Sequence, residues 1–246
     1  MRIVIPLYPG FTALDAVGPY EVLRLMPDAE VVFASAHPGP VRADSQVLEI
    51  TADAALDDID SCDILVVPGG PEARTPPEHL VRWLAAVHPT TLWTTSVCTG
   101  ALILCAADIL YEGLDATTHW VAAQQLRKYG VRYLPDRVVF QERHRIITSA
   151  GVSAGIDMAL ALVARVTDQV TAEAIQLIVQ YDPQPPFHAG SPTTASDAAR
   201  ERAREILDTL PPVPSDIPPP RHEEPLTVRT RQGRRLREFL RREQRT

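Results

Sequence analysis

Along the chain, short apolar stretches alternate with longer ones in which apolar residues recur every three or four positions, the signatures of strand and helix. Arg2–Tyr8 reads as a strand and Ala16–Met26 as a helix. Glu30–Ser35 is a second strand, and Val41–Ile50, broken by turn residues, a small hairpin. Asp63–Val67 is a short buried strand that ends at Pro68-Gly69-Gly70. The helix Glu78–Val87 leads to an extended run, Thr91–Thr95, and a helical run, Ala101–Leu110, follows closely. Trp120–Tyr129 is helical, Arg137–Phe140 and Arg145–Thr148 are strands around a polar turn, and Ser153–Val166 and Thr171–Gln180 are helices. Strands separated by helices in this way predict an α/β domain whose mostly parallel sheet is covered on both faces.

The pattern changes after Tyr181. Pro183, Pro185 and Pro186 stop the helix, Phe187–Pro192 is a loop, and Ala195–Leu210 returns to helix. Pro211–Pro220 reads as extended linker, and Leu226–Thr246, with Leu236, Phe239 and Leu240 as its few apolar residues, as weakly ordered. The expected division is one domain over 1–210 and a linker with an arginine-rich tail over 211–246. At 246 residues and 45% hydrophobic content, the chain supplies one substantial core.

Charge sharpens that division. After Pro220 there are nine arginines and four acidic residues, a balance of +5, whereas the preceding chain carries −12. An acidic body argues against a nucleic-acid-binding core. No apolar run is long enough to span a membrane, and Met1–Leu7 reads as a strand rather than a signal peptide. Cys62, Cys98 and Cys105 show neither metal spacing nor a disulfide framework, which places the chain in a reducing cytoplasm. No phosphate loop, zinc spacing or dinucleotide fingerprint is present, so no cofactor is inferred.

The candidate chemistry centres on Ser96-Val97-Cys98-Thr99-Gly100, between an extended run and a helical one. Strand, sharp turn, then helix is the layout of a nucleophile elbow, with the Cys98 thiol at its apex. The amides at the start of the following helix favour thiolate. A buried core cysteine is the competing description. Asp15 precedes a helical run, where it serves either as a helix cap or as a proton shuttle beside Cys98. A carboxylate against a thiolate is costly, so the pair requires one shared proton, through a raised carboxyl pKa or a thiol that gives up its proton late. The backbone N–H groups of Gly70 and Thr99 are candidate donors to charge developing on a substrate. Thr99 is equally an ordinary helix-start residue. His119 is a candidate substrate-binding residue or base, though its setting favours a packing role.

These segments resemble the ThiJ/PfpI superfamily. Leu14–Leu23, Val66–Gly70, Ser96–Gly100, Thr117–Trp120, Ala150–Asp157 and the Gln180–Pro192 region occur in family order and span Met1 to about Leu210. The resemblance implies a flavodoxin-like three-layer sandwich, a homodimer, and an elbow cysteine with an acidic partner from the end of the first strand. Cys98 and Asp15 occupy those positions, and Thr99 matches the threonine after the nucleophile. Within the superfamily the chain is most similar to the isonitrile hydratases. This implies a cofactor-independent conversion of a small-molecule isonitrile to an N-substituted formamide. Branches with peptidase-like chemistry carry histidine after the cysteine; Thr99 stands there, which argues against proteolysis. The proline-rich Pro71–Pro77 departs from the pattern and leaves substrate identity open. Two alternatives stand beside the hydratase. One is a ligand-sensing domain like those of AraC-type regulators, for whose DNA-binding region Leu226–Thr246 is too short. The other is a glyoxalase-like enzyme acting on reactive carbonyls.

Overall fold

The computed structural model describes residues 1–210; the expected linker and tail, 211–246, lie outside the described residues. Eleven strands occur in the described chain: β1 (Arg2–Pro6), β2 (Glu30–Ser35), β3 (Gly39–Arg42), β4 (Glu49–Ala52), β5 (Ala54–Ala55), β6 (Ile64–Val67), β7 (Trp93–Val97), β8 (Asp115–Ala116), β9 (Arg132–Tyr133), β10 (Val138–Gln141) and β11 (Ile146–Ser149). The α-helices are α1 (Ala13–Leu23), α2 (Glu78–Val87), α3 (Gly100–Ala106), α4 (Ala123–Lys128), α5 (Ala154–Val166), α6 (Gln169–Ile178) and α7 (Asp197–Thr209).

Seven strands form one sheet in the order β10-β11-β7-β6-β1-β2-β5, parallel except for β10. The middle strands β1 and β6 pair at Ile3↔Ile64 and Val4↔Leu65, and β6 pairs with β7 at Val67↔Ser96. Ile3, Val4, Ile5 and Ile64–Val67 are buried, as a sheet with both faces covered demands. Helices α1, α5 and α6 pack together on one face, and α2, α3 and α4 on the other, giving three layers. The flavodoxin-like sandwich expected from the sequence is therefore the observed fold. The chain leaves β1 toward β2 on one side, while β6 lies on the other side of β1. The crevice beyond the carboxyl ends of β1 and β6 is thus the switch point where ligands bind in open α/β sheets.

Three local differences from the sequence expectation bear on the site. α1 begins at Ala13, three residues before the expected start, with Thr12 at its N-cap. Asp15 therefore lies inside the first turn and does not cap the helix. α3 ends at Ala106 and not Leu110, where Asp108 turns into the left-handed region at φ +56°. The predicted helix Trp120–Tyr129 divides into a 3₁₀ turn, Trp120–Ala122, followed by α4. The Val41–Ile50 hairpin is present as β3 and β4, paired at Val41↔Ile50.

Candidate active site

Cys98 follows β7 directly and has φ +56°, a left-handed conformation that non-glycine residues adopt at a cost of about 1–3 kcal/mol. The surrounding backbone holds it there. Its N–H donates to the Ser149 carbonyl (3.1 Å), and its carbonyl accepts from the Thr118 hydroxyl (2.8 Å). The chain then enters α3 at once, which requires Gly100. A Cβ there would collide with the Val67 carbonyl of the neighbouring strand end. The elbow read from the sequence is thus present, built on strain and close packing.

Asp15 is fully buried, and its Oδ2 accepts the Gly69 N–H at 2.8 Å. Gly69 must be glycine, because a Cβ would lie 2.6 Å from both the Thr99 nitrogen and Oγ1 and 2.9 Å from Asp15 Oδ2. Asp15 Oδ1 is buried with no hydrogen-bond partner among the described residues. Burial pushes the Asp15 carboxyl up to about 8, against the opposing pull of the Gly69 amide. Asp15 and Cys98 face each other closely enough that each shifts the other's titration.

The thiol departs from expectation. Burial, then the Asp15 charge, raise the Cys98 pKa well above the ordinary thiol value, while the Thr99 N–H and hydroxyl work in the opposite direction. The helix-start donors are present, but desolvation of a cysteine only 6% exposed outweighs them. The resting pair is consequently a protonated one. Both groups are pushed toward their protonated forms, so the helix-start donors alone do not leave a resting thiolate.

Gly70 also plays a different part from the one expected. Its N–H donates to Thr99 Oγ1 (2.8 Å), whose own hydroxyl donates to the Gly70 carbonyl (2.9 Å). The Gly70 amide is therefore occupied and is not a free donor to a substrate oxyanion. It ties the β6 end to the elbow. Thr99 stands at the N-cap of α3, yet its side chain makes no bond to that helix. The ordinary cap description fails, and a clamp between two strand ends replaces it. His119 is half-buried with its pKa lowered by burial, stacks beside Trp120 at 5.9 Å, and lies 3.5 Å from the position of a Cβ built on Gly151. It is not among the groups that shift Cys98 or Asp15.

Sequence reasoning passed over Tyr8. It is buried at the end of β1, donates its hydroxyl to the Pro68 carbonyl (3.1 Å), and is itself shifted upward by burial, Asp15 and Cys98. Thr12 and Asp44 were also missed: Thr12 N–H donates to the Gly69 carbonyl (2.8 Å) and its hydroxyl to Asp44 Oδ2 (2.7 Å). Cys62 and Cys105 are buried thiols pushed up to about 12 with no carboxyl–amide arrangement like that of Cys98. Among the described residues no cluster of three or more His, Cys, Asp or Glu is arranged to hold a metal. Two surface depressions, of about 210 and 370 Å³, lie against Leu102 and Tyr129 and along Ile59 and Trp83; Cys98 lines neither.

A strained cysteine elbow after β7 and a buried carboxyl on α1, the helix that follows β1, thus meet at the carboxyl edge of a flavodoxin-like sheet. The DJ-1/PfpI family matches residues 1–165, and the chain belongs to it. It is 36% identical over 203 residues to isonitrile hydratase from Pseudomonas putida, covering 81% of this chain and 86% of that one. It is 31% identical over 184 residues to the HTH-type transcriptional regulator CdhR of Pseudomonas aeruginosa, covering 72% of this chain and 52% of the regulator. A glutathione-independent glyoxalase, DJR-1.2 of Caenorhabditis elegans, is 29% identical over 138 residues, 54% of this chain and 72% of that one. In structure the chain is similar to a ThiJ/PfpI family protein from Pseudomonas syringae, with TM-score 0.78, 35% identity, and 85% and 86% of the two chains covered. Among the described residues no helix is long and apolar enough to cross a membrane.

Proposed function

We propose that the chain is a cofactor-independent hydratase that converts an isonitrile, R–N≡C, to the N-substituted formamide, with Cys98 as nucleophile and Asp15 as proton shuttle. The observation that carries this reading is the buried Asp15 carboxyl, raised to about 8 and coupled to the Cys98 thiol, whose Oδ1 has no hydrogen-bond partner among the described residues. A buried polar atom without a partner is costly unless a reacting group supplies one. The similarity to isonitrile hydratase supports the substrate class. So does access, since a slim, linear N≡C head suits a cysteine that is only 6% exposed.

In the first step the sulfur bonds to the terminal carbon. Asp15 delivers a proton to that same carbon and takes up the thiol proton, giving the thioimidate R–N=CH–S. Water then adds to the thioimidate carbon, with Asp15 moving its proton to nitrogen. The C–S bond breaks, sulfur leaves with its electron pair and is reprotonated, and R–NH–CHO is released. Atoms balance as isonitrile plus water. Thr99 positions the sulfur through its N–H and hydroxyl, and Gly70 holds Thr99. His119 borders the substrate in this reading. A small-molecule substrate and a homodimeric assembly complete it, in a reducing cytoplasm.

The test is formamide production from a simple isonitrile by wild type, Cys98→Ala and Asp15→Asn. The reading requires loss to the uncatalysed rate in the first and a fall of about 10²–10⁴-fold in the second. Equal rates in all three dispose of it. The similarity to CdhR favours a second reading, ligand sensing in a transcription regulator. DNA binding with a steep salt dependence, without formamide turnover, selects that reading. Parallel kinetics with methylglyoxal separate a glyoxalase-like activity.

A further inference from the structure

Each of the two groups at the candidate site receives an amide from a peptide at a strand end. In both cases a buried hydroxyl holds the other end of that same peptide. Asp15 Oδ2 accepts the Gly69 N–H, which belongs to the Pro68–Gly69 peptide just after β6. The carbonyl of this peptide accepts the Tyr8 hydroxyl at 3.1 Å. The Cys98 sulfur accepts the Thr99 N–H, which belongs to the Cys98–Thr99 peptide just after β7. The carbonyl of that peptide accepts the Thr118 hydroxyl at 2.8 Å. Both peptides are trans. A planar trans peptide points its C=O and N–H to opposite sides, so fixing one end aims the other.

Each carbonyl lies where the chain has just left the sheet, β6 ending at Val67 and β7 at Val97. The helix after the elbow passes the Cys98 carbonyl by, because the Leu102 N–H donates to the Thr99 carbonyl instead (2.9 Å). A buried carbonyl at such a point takes a side-chain donor. Tyr8 and Thr118 supply one each, from separate places in the fold. Tyr8 follows β1, and Thr118 lies between β8 and the 3₁₀ turn Trp120–Ala122. Both are anchored. The Tyr8 carbonyl accepts the Phe11 N–H (3.1 Å), and the Thr117 N–H beside Thr118 donates to Thr148 Oγ1 on β11 (2.9 Å). The two aimed amides each favour the charged form of the group they face, against burial.

We propose that Tyr8 and Thr118 are positioning residues of the Cys98–Asp15 pair, each turning one peptide so that its N–H faces one of the two groups. This deepens the reaction assigned above and rests on it for what the pair does in turnover. Without the Thr118 hydroxyl the Cys98–Thr99 peptide is free to rotate, and the sulfur faces a carbonyl where it had an N–H. Without the Tyr8 hydroxyl the Pro68–Gly69 peptide loses the same restraint, and the Asp15 carboxylate its amide. Thr118 thus governs how readily the thiol ionises, and Tyr8 where the carboxyl titrates. The titratable groups around the pair are few. Asp15 is faced by Cys98 and by Asp44 in the turn after β3, and Cys98 by Asp15. Tyr8 is faced by these three and by Glu72 in the 3₁₀ turn Pro71–Arg74. Removing either hydroxyl changes no charge among them at neutral pH, so the effect travels through the peptide.

The test is a pair of readouts on the full-length chain that use no isonitrile. One is the rate of Cys98 alkylation by iodoacetamide at about pH 8, followed on the Cys98 peptide by mass spectrometry. The other is the Asp15 midpoint from carboxyl carbon-13 NMR. Thr118→Val slows alkylation about tenfold, Thr118→Ser restores it to within about twofold, and the Asp15 midpoint keeps its wild-type value in both. Tyr8→Phe moves the Asp15 midpoint about one pH unit higher and leaves alkylation within about twofold of wild type. Thr118→Ala and Tyr8→Leu carry the same expectations where the first variants do not fold. Wild-type values in all the variants overturn the proposal. So does movement of both readouts together in every variant, the mark of a loosened fold. With an isonitrile, Thr118→Val and Tyr8→Phe lower kcat and leave KM unchanged. A wild type inactive on isonitriles removes the reaction reading alone, and the two readouts still decide whether these hydroxyls aim the amides.

Discussion

The sheet edge at Cys98 and the carboxy-terminal arm are built in opposite ways. At the edge, the ends of β1, β6 and β7 meet through bonds between residues far apart in sequence, Gly69 to Asp15 and Gly70 to Thr99. Side chains there are buried, glycines let backbones touch, and among the described residues Asp15 Oδ1 is one of four buried side-chain oxygens, with those of Thr95, Ser96 and Thr117, that lack a partner. From Gln176 to Leu210 no residue is buried, and beside its charged residues this stretch exposes the aliphatic Leu177, Ile178, Ile206, Leu207 and Leu210. The difference separates two uses of surface. A reaction needs a few atoms fixed at a cost in desolvation and strain, whereas association needs area with little demand on any single atom.

That contrast is tested first where the expected effect is largest. The Asp15 carboxyl holds its proton to about 8 in the folded chain, against 3.8 ordinarily. Below the ordinary value both states are protonated and there is no penalty. Between the two values the folded state binds a proton that the unfolded chain has released, so stability falls as pH rises and levels off above about 8. The fall is roughly 6 kcal/mol, and Asp15→Asn removes it. Urea unfolding of both proteins on either side of that range reads the difference; parallel curves would show that burial of this carboxyl costs nothing.

A Cβ at Gly100 presses on the Val67 carbonyl, so Gly100→Ala costs about 2–3 kcal/mol and lowers activity by displacing the elbow. At Gly190, in the arm, nothing lies within 4 Å, and the same substitution stays within about 0.5 kcal/mol. Thermal unfolding of the two variants compares them directly. Thr99→Val orphans the buried Gly70 N–H and costs about 1–3 kcal/mol, with a fall in kcat. Thr99→Ser restores the hydroxyl and most of the rate. At the small end, Arg202→Ala breaks an exposed pair in α7 and changes stability by less than about 0.5 kcal/mol.

Much of the frame was legible because it is local. The strand–turn–helix run at Cys98 and the apolar strands β1 and β6 declare themselves in consecutive residues. The shared-proton requirement followed from placing a carboxyl beside a thiol. What escaped was non-local. The Gly70 amide looked like a free donor because the hydroxyl that takes it comes from Thr99, twenty-nine residues on. The thiol looked activated because helix-start donors are visible in sequence, whereas the desolvation that outweighs them depends on how completely the layers close. From its neighbouring residues alone Asp15 reads first as a helix cap, and the start of α1 at Ala13 places it within the first turn instead. The two-residue strands β5, β8 and β9 are too short for any alternation to register. In α6 the sequence shows apolar residues around the helix but not which face its own chain covers.

The central claim is that Asp15 carries a proton beside Cys98 through the neutral range. Carbon-13 NMR of carboxyl-labelled protein, with the Asp15 signal assigned by its loss in Asp15→Asn, follows that proton directly. The predicted titration is near pH 8. A signal that titrates near 3.8, like an ordinary aspartate, would contradict the shared-proton site and the mechanism built on it.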